Sequence, residues 1–171
     1  MKRIIIIIIA VKVAFFLLYL ISRNKEATQE DIAPRADREI DYDSLSNKLV
    51  NVSKLEKCKS EYPFARWRLN AIEHAMEQYS QENCEAIEMI FDELVADLKL
   101  LPDDATAEDK VLLFKYAVLA TNTMNTRLDD LIETGEREDL CELMDQISIA
   151  AGLEPEELAD GEGIASEWRE W

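Results

Sequence analysis

The chain has 171 residues, 36 of them acidic and 19 basic, for a formal net charge of -17, with one histidine and three cysteines. That length leaves room for one modest core, and so large an acidic excess repels phosphate backbones, which argues against nucleic acid as a partner. One histidine rules out a multi-histidine metal centre, and no C-x-x-C pair occurs to form a zinc ribbon or a thioredoxin-type site.

The charge is unevenly placed. Lys2, Arg3, Lys12, Arg23 and Lys25 are the only charged residues before Glu26, so the acidic excess lies downstream. Ile4 to Ile21 is apolar at every position except Lys12. A helix of that length spans roughly 27 Å, close to the hydrocarbon thickness of a bilayer. Lys12 costs about 2.5–3.5 kcal/mol at the centre of such a span, against roughly -4 to -8 kcal/mol from its Ile, Leu, Val and Phe residues, so insertion wins modestly. The lysine also snorkels toward an interface. Around Tyr19 to Arg23 there is no small-x-small cleavage site and no lipoprotein cysteine. Residues 1–22 therefore read as an uncleaved, single-pass anchor in membrane lipid through residues 4–21. Flanking bases on both sides leave its orientation open.

Residues 23–43 read as a polar linker, broken by Asn24, Thr28 and Pro34. From there to residue 171 the pattern predicts an all-α domain, an acidic bundle of about five helices. The first opens near Asp43 or Ser44, with Leu45, Leu49, Val52, Leu55 and Cys58 at helical spacing. Pro63 suits the first turn of a second helix, whose broad apolar face combines Phe64, Trp67, Ala71 and Ala75 with Leu69, Ile72, Met76 and Tyr79. A third runs from about Glu82 with Ile87, Ile90, Phe91, Leu94, Val95, Leu98 and Leu101 inward, and ends at Pro102. Thr106 and Asp109 resemble a capping box for a nearly apolar fourth helix from Val111 to Ala120. Asn122 to Thr134 reads as a loop or frayed end. Thr134-Gly135 caps a fifth helix carrying Leu140, Cys141, Leu143, Met144 and Ile147, with Gly152 at its C′ position. Beyond Pro155, Gly161 and Gly163 let the chain turn before a last helical turn that places Ile164, Trp168 and Trp171 on one face.

The chemistry-bearing residues form no catalytic or cofactor-binding constellation, so neither an enzyme nor a small-molecule substrate is expected. Ala71 stands three residues before His74, where a di-iron bundle needs Glu. Gly161-Glu162-Gly163 departs from a phosphate loop at Ser166 and from a calcium loop at Leu158. Cys58, Cys84 and Cys141 sit at apolar-periodic positions and read as small core residues. The acidic run Glu133, Glu136, Glu138, Asp139, Glu142 and Asp145 reads either as a solvated helix face or as a docking face for a basic protein partner. Trp168 and Trp171 read either as an exposed anchor for a partner or as a clamp of the chain end onto its own core. The bases from Lys48 to Arg68 either pair with acids inside the fold or meet anionic headgroups.

Leu131-Ile132-Glu133-Thr134, then Arg137-Glu138 and Leu140, and the closing Glu167-Trp168-Arg169-Glu170-Trp171, resemble small uncharacterised bacterial helical proteins that end in this way. The resemblance covers about a quarter of the chain and implies a bacterial helical domain, with the anchor then in the inner membrane, but no chemistry. The functional expectation is a non-catalytic, membrane-tethered interaction protein, for instance an immunity-type protein neutralising a basic toxin. The alternative is a structural or assembly factor of the bacterial cell envelope.

Overall fold

Where this chain turns its apolar residues inward follows from the 100° advance per residue of a helix. The structure, a computed structural model, describes residues 42–129 and 131–171, with side chains from Lys48 onward. The predicted anchor (1–22) and nearly all of the predicted linker (23–43) lie outside the described residues. Asp41–Trp171 forms one unit. The described residues are all-helical, with α1 Tyr42–Cys58, α2 Phe64–His74, α3 Gln81–Leu100, α4 Ala107–Arg127 and α5 Thr134–Ala150. None of these helices is long and apolar enough to cross a membrane.

On α1 the predicted stripe steps by three residues from Leu49 onward, which drifts about 60° back around the helix each time. Leu55 and Cys58 are therefore buried and Val52 half-buried, while Leu49 ends up 63% exposed. On α2, Phe64 and Trp67 are fully buried, but Leu69 and Ile72 point outward at 61% and 81% exposure. The broad apolar face expected there is thus two faces, only one of which packs. This helix also stops earlier than its apolar residues suggest. Ala75 adopts a left-handed conformation (φ 53°), and the Met76 amide bonds back to the Ala71 carbonyl, closing a Schellman turn.

α3 is capped by the Ser80 hydroxyl, which accepts from the Asn83 amide, and it buries Cys84, Ile87, Ile90, Phe91, Leu94, Val95 and Leu98. It forms a hairpin with α4, which opens with the predicted capping box: Thr106 Oγ1 accepts from Asp109 N, and Asp109 Oδ2 from Thr106 N. α4 continues to Arg127 through the stretch expected to be irregular. Asn122 and Asn125 break the apolar stripe in the sequence, yet both are buried. α5 begins without a side-chain cap: Glu133 is the N-cap and Thr134 is already helical. Its other end matches expectation. Gly152 (φ 79°) and Leu153 donate to the Ile149 and Ser148 carbonyls in a Schellman motif, and Lys110 Nζ, 2.8 Å from the Ala151 carbonyl, adds a cation to that negative end.

The centre of the core is aromatic. Phe64 meets Trp67, Tyr62 and Phe91 at ring-centroid distances of 5.2, 5.5 and 5.7 Å, and Trp67 meets Tyr79 at 6.1 Å. Ion pairs stitch the surface between elements: Lys48 to Asp103, Lys59 to Asp92, Arg68 to Glu88, Arg66 to Asp139 and Lys99 to Glu56. Most of the Lys48–Arg68 cluster is thus matched within the fold.

Phe64→Ala is expected to cost about 3–5 kcal/mol, since it opens a cavity under three rings. Ile72→Ala changes stability by less than about 0.5 kcal/mol, because its side chain already faces water. Urea denaturation followed by circular dichroism checks both.

Candidate functional site

The predicted acidic run lies at the start of and along α5, and helical geometry divides it into three groups. Glu138 and Glu142 are exposed on the outer face, as is Glu133 at the N-cap. Glu142 accepts from Gln146 one turn on, at 3.2 Å.

Asp139 sits on the flank that meets α2. Its Oδ2 accepts from the indole Nε1 of the fully buried Trp67 at 2.7 Å, and its other oxygen pairs with Arg66. This carboxylate supplies the polar partner that a buried tryptophan requires. Glu136 is half-buried beside Tyr79. Burial, with Glu136 next, pushes the Tyr79 phenol well above its ordinary pKa, although the two groups do not reach hydrogen-bond geometry.

Asp145 lies on the opposite flank, where the chain returns after α5. Its Oδ1 accepts from the Ile164 amide at 3.1 Å, and desolvation raises its pKa above the ordinary carboxylate value despite that bond. The approach is close: a Cβ built on Gly163 (φ 83°) would lie 2.7 Å from Asp145 Oδ2. Glycine is required there both for its backbone angle and for its missing side chain. The predicted turn at Gly161 and Gly163 thus serves to bring the chain onto Asp145.

From Leu153 the chain forms a C-terminal strap with two short 3-10 turns, Pro155–Glu157 and Ala159–Gly161. Ile164 and Ala165 are buried, and the amides of Trp168 and Arg169 bond to the Ala165 carbonyl in a single turn. Asn122 of α4 grips the strap with both ends of its amide: Nδ2 donates to the Trp168 carbonyl and Oδ1 accepts from the Glu170 amide. Asn125 does similar service for the α4–α5 connection, accepting from Ile132 N at 2.7 Å. Lys115 Nζ stands 5.6 Å from the Trp168 ring centroid, a cation–π contact. Trp168 and Trp171 are both half-buried, and the Trp171 indole nitrogen is buried without a described partner. Sequence reasoning missed the two asparagines. Their signal was two amides three residues apart on one side of a helix whose apolar stripe they appeared to end.

The strap carries Glu154, Glu156, Glu157, Asp160, Glu162, Glu167 and Glu170, all exposed. No described residue forms an ion pair with any of them, or with Glu133, Glu138 or Glu142. His74 is exposed at the end of α2. Among the described residues no cluster of His, Cys, Asp or Glu is arranged to hold a metal ion. All three cysteines are free, and burial pushes their thiols up, Cys84 to about 11, which leaves them protonated and weakly nucleophilic at neutral pH. No protein-family model matches the chain, and no curated protein or solved structure matches it significantly.

Two substitutions test the strap's attachment. Gly163→Ala is expected to lower the thermal midpoint, because it forces both a strained backbone and a clash with Asp145. Asp145→Asn keeps an acceptor for Ile164 N and removes a charge the fold disfavours. A carboxyl whose folded pKa is raised is least costly when protonated, so its penalty is complete above that pKa and fades as pH falls toward the ordinary carboxylate value. The variant therefore melts higher than the native chain at neutral pH, and the gap narrows on acidification. Melting curves from about pH 7 to pH 4 check the sign.

Proposed function

We propose that this chain is a non-catalytic, membrane-tethered docking protein that captures a basic protein partner on the outer acids of α5 and the C-terminal strap. One observation carries the reading. Four of the six cations from Lys48 to Arg68, together with Lys99 of α3, are matched by carboxylates within the fold, whereas the acids of the outer α5 face and the strap stay exposed and unmatched among the described residues. Residues 103–171 hold 19 acids against five bases, so the field at the C-terminal end is strongly negative, and such a field steers a cationic protein into encounter. Within the predicted acidic run, Glu133, Glu138 and Glu142 are the contact carboxylates, while Asp139 and Asp145 serve the fold. Trp168, held at its backbone by Asn122 and with Lys115 over its ring, is half-buried and belongs to the same strap as these acids. An immunity-type protein is the concrete version: a small acidic helical domain that neutralises a basic toxin by covering it. The apolar run from Ile4 to Ile21 supports the tether, which would hold the domain at the bilayer where a toxin acts.

The test is affinity capture from solubilised bacterial membranes with the full chain as bait, beside a Glu138→Lys/Glu142→Lys/Glu167→Lys variant. The native chain should retain a basic protein at physiological salt, and the variant should lose it by about tenfold or more, chiefly through a slower on-rate. Equal recovery by both baits refutes the proposed surface. Recovery of no specific partner, even at low salt, refutes the docking function.

A further inference from the structure

In a chain of which 32% of residues are charged, the outer face of α4 is an exception. Between Val111 and Thr126 the only charged residue is Lys115, and it is turned onto Trp168. The face that remains carries Leu112, Tyr116, Leu119, Thr123 and Thr126, at successive spacings of four, three, four and three residues. That spacing is the seam of a helix–helix interface. Leu112 is half-buried, Tyr116 and Leu119 are 40% and 41% exposed, and both threonines are exposed. The threonines are less polar than their names suggest. Thr123 Oγ1 donates to the Leu119 carbonyl at 2.9 Å and Thr126 Oγ1 to the Asn122 carbonyl at 3.1 Å, so each hydroxyl is already satisfied by its own helix.

We propose that this seam is the dimerisation face of the protein and that its occupant is α4 of a second copy, packed antiparallel about a two-fold axis. Charge selects that occupant. Two copies of a strongly acidic molecule repel each other over most of their surface and approach closely only where carboxylates are absent. An isologous contact also requires the face to complement itself. With the axis between Tyr116 and Leu119, Tyr116 meets the partner's Leu119, Leu112 meets the partner's Thr123, and at each end Glu108 stands opposite the partner's Arg127. Both end residues are exposed, and no ion pair is described for either. The antiparallel arrangement further sets each helix's positive end beside the other's negative end.

Sedimentation velocity of the full chain in a mild non-ionic detergent, at about 0.15 M salt, reads this directly. Over about a hundredfold range of concentration the native chain should pass from monomer to dimer. Leu119→Glu should stay monomeric with an unchanged circular dichroism spectrum, its site being partly exposed already. Glu108→Arg should weaken the dimer by about tenfold, and adding Arg127→Glu should restore it, since the swap re-forms both pairs in reverse. A native chain that stays monomeric throughout overturns the proposal. So does a dimer that survives Leu119→Glu, which would place the contact elsewhere. A double swap no better than Glu108→Arg alone overturns the antiparallel register.

Discussion

A chain this acidic must fold against its own repulsion, and the positions of its few cations govern how it does so. Each of the five described ion pairs joins residues from different elements, and none lies within a single helix. Exposed pairs of this kind contribute little individually, about 0–1 kcal/mol. Their larger effect is to lower the local carboxylate density where helices must approach. α3 is the clearest case: Glu88, Asp92 and Lys99 lie along one of its edges and are met in turn by Arg68, Lys59 and Glu56. The Lys99 contact holds the Glu56 carboxyl below its ordinary pKa. Without those partners, α1 and α2 would bring further charge against an acidic helix edge.

The carboxylates that do enter the fold take on roles that hydrophobic residues cannot fill. Asp109 closes the α4 capping box, Asp139 satisfies the Trp67 indole, and Asp145 receives the strap at Ile164. Asp139 and Asp145 are six residues apart on α5 and lie on opposite flanks, so this one helix joins α2 to the chain terminus. They differ in cost. Asp139 has a cation beside it and two donors. Asp145 has one backbone donor, and its raised pKa reflects desolvation that this bond does not offset.

Much of this fold was legible from spacing alone. The helical class, the Thr106–Asp109 box, the Gly152 cap and the inward residues of α3 follow from periodicity and local chemistry. Leu49, Leu69 and Ile72 depart from expectation because apolar character alone does not bring burial: a short helix offers only one face to a neighbour. α4 was cut short for the converse reason. Asn122 and Asn125 are buried because their partners are backbone groups more than forty residues ahead or in the next connection, and a local pattern contains no trace of those. The acidic run is helical from Glu136 on, with Glu133 at the N-cap, but its division leaves no mark in the sequence: whether a carboxylate faces water or a tryptophan depends on which flank of α5 another element occupies. The anchor reading concerns residues outside those described, and its warrant remains the hydropathy of residues 4–21.

The neutrality of the outer α4 face has a structural origin. Between Thr106 and Arg127 the helix has two lysines, and both are engaged away from that face. Lys110 reaches the Ala151 carbonyl at the end of α5, and Lys115 covers the Trp168 ring of the strap. The two acids of the same helix, Glu108 and Asp109, sit in its first turn, where they favour the helix N-terminus. Fastening α5 and the strap to α4 therefore takes up the charges of α4 on its inner and lateral sides and leaves the outer side bare. A bare side is of little use for solubility in a monomer, and its exposed Tyr116 and Leu119 cost hydration that charged residues would not. It becomes favourable when the same atoms are covered. The contacts that hold the chain terminus in place thus also prepare a surface on which an otherwise self-repelling molecule tolerates its own copy.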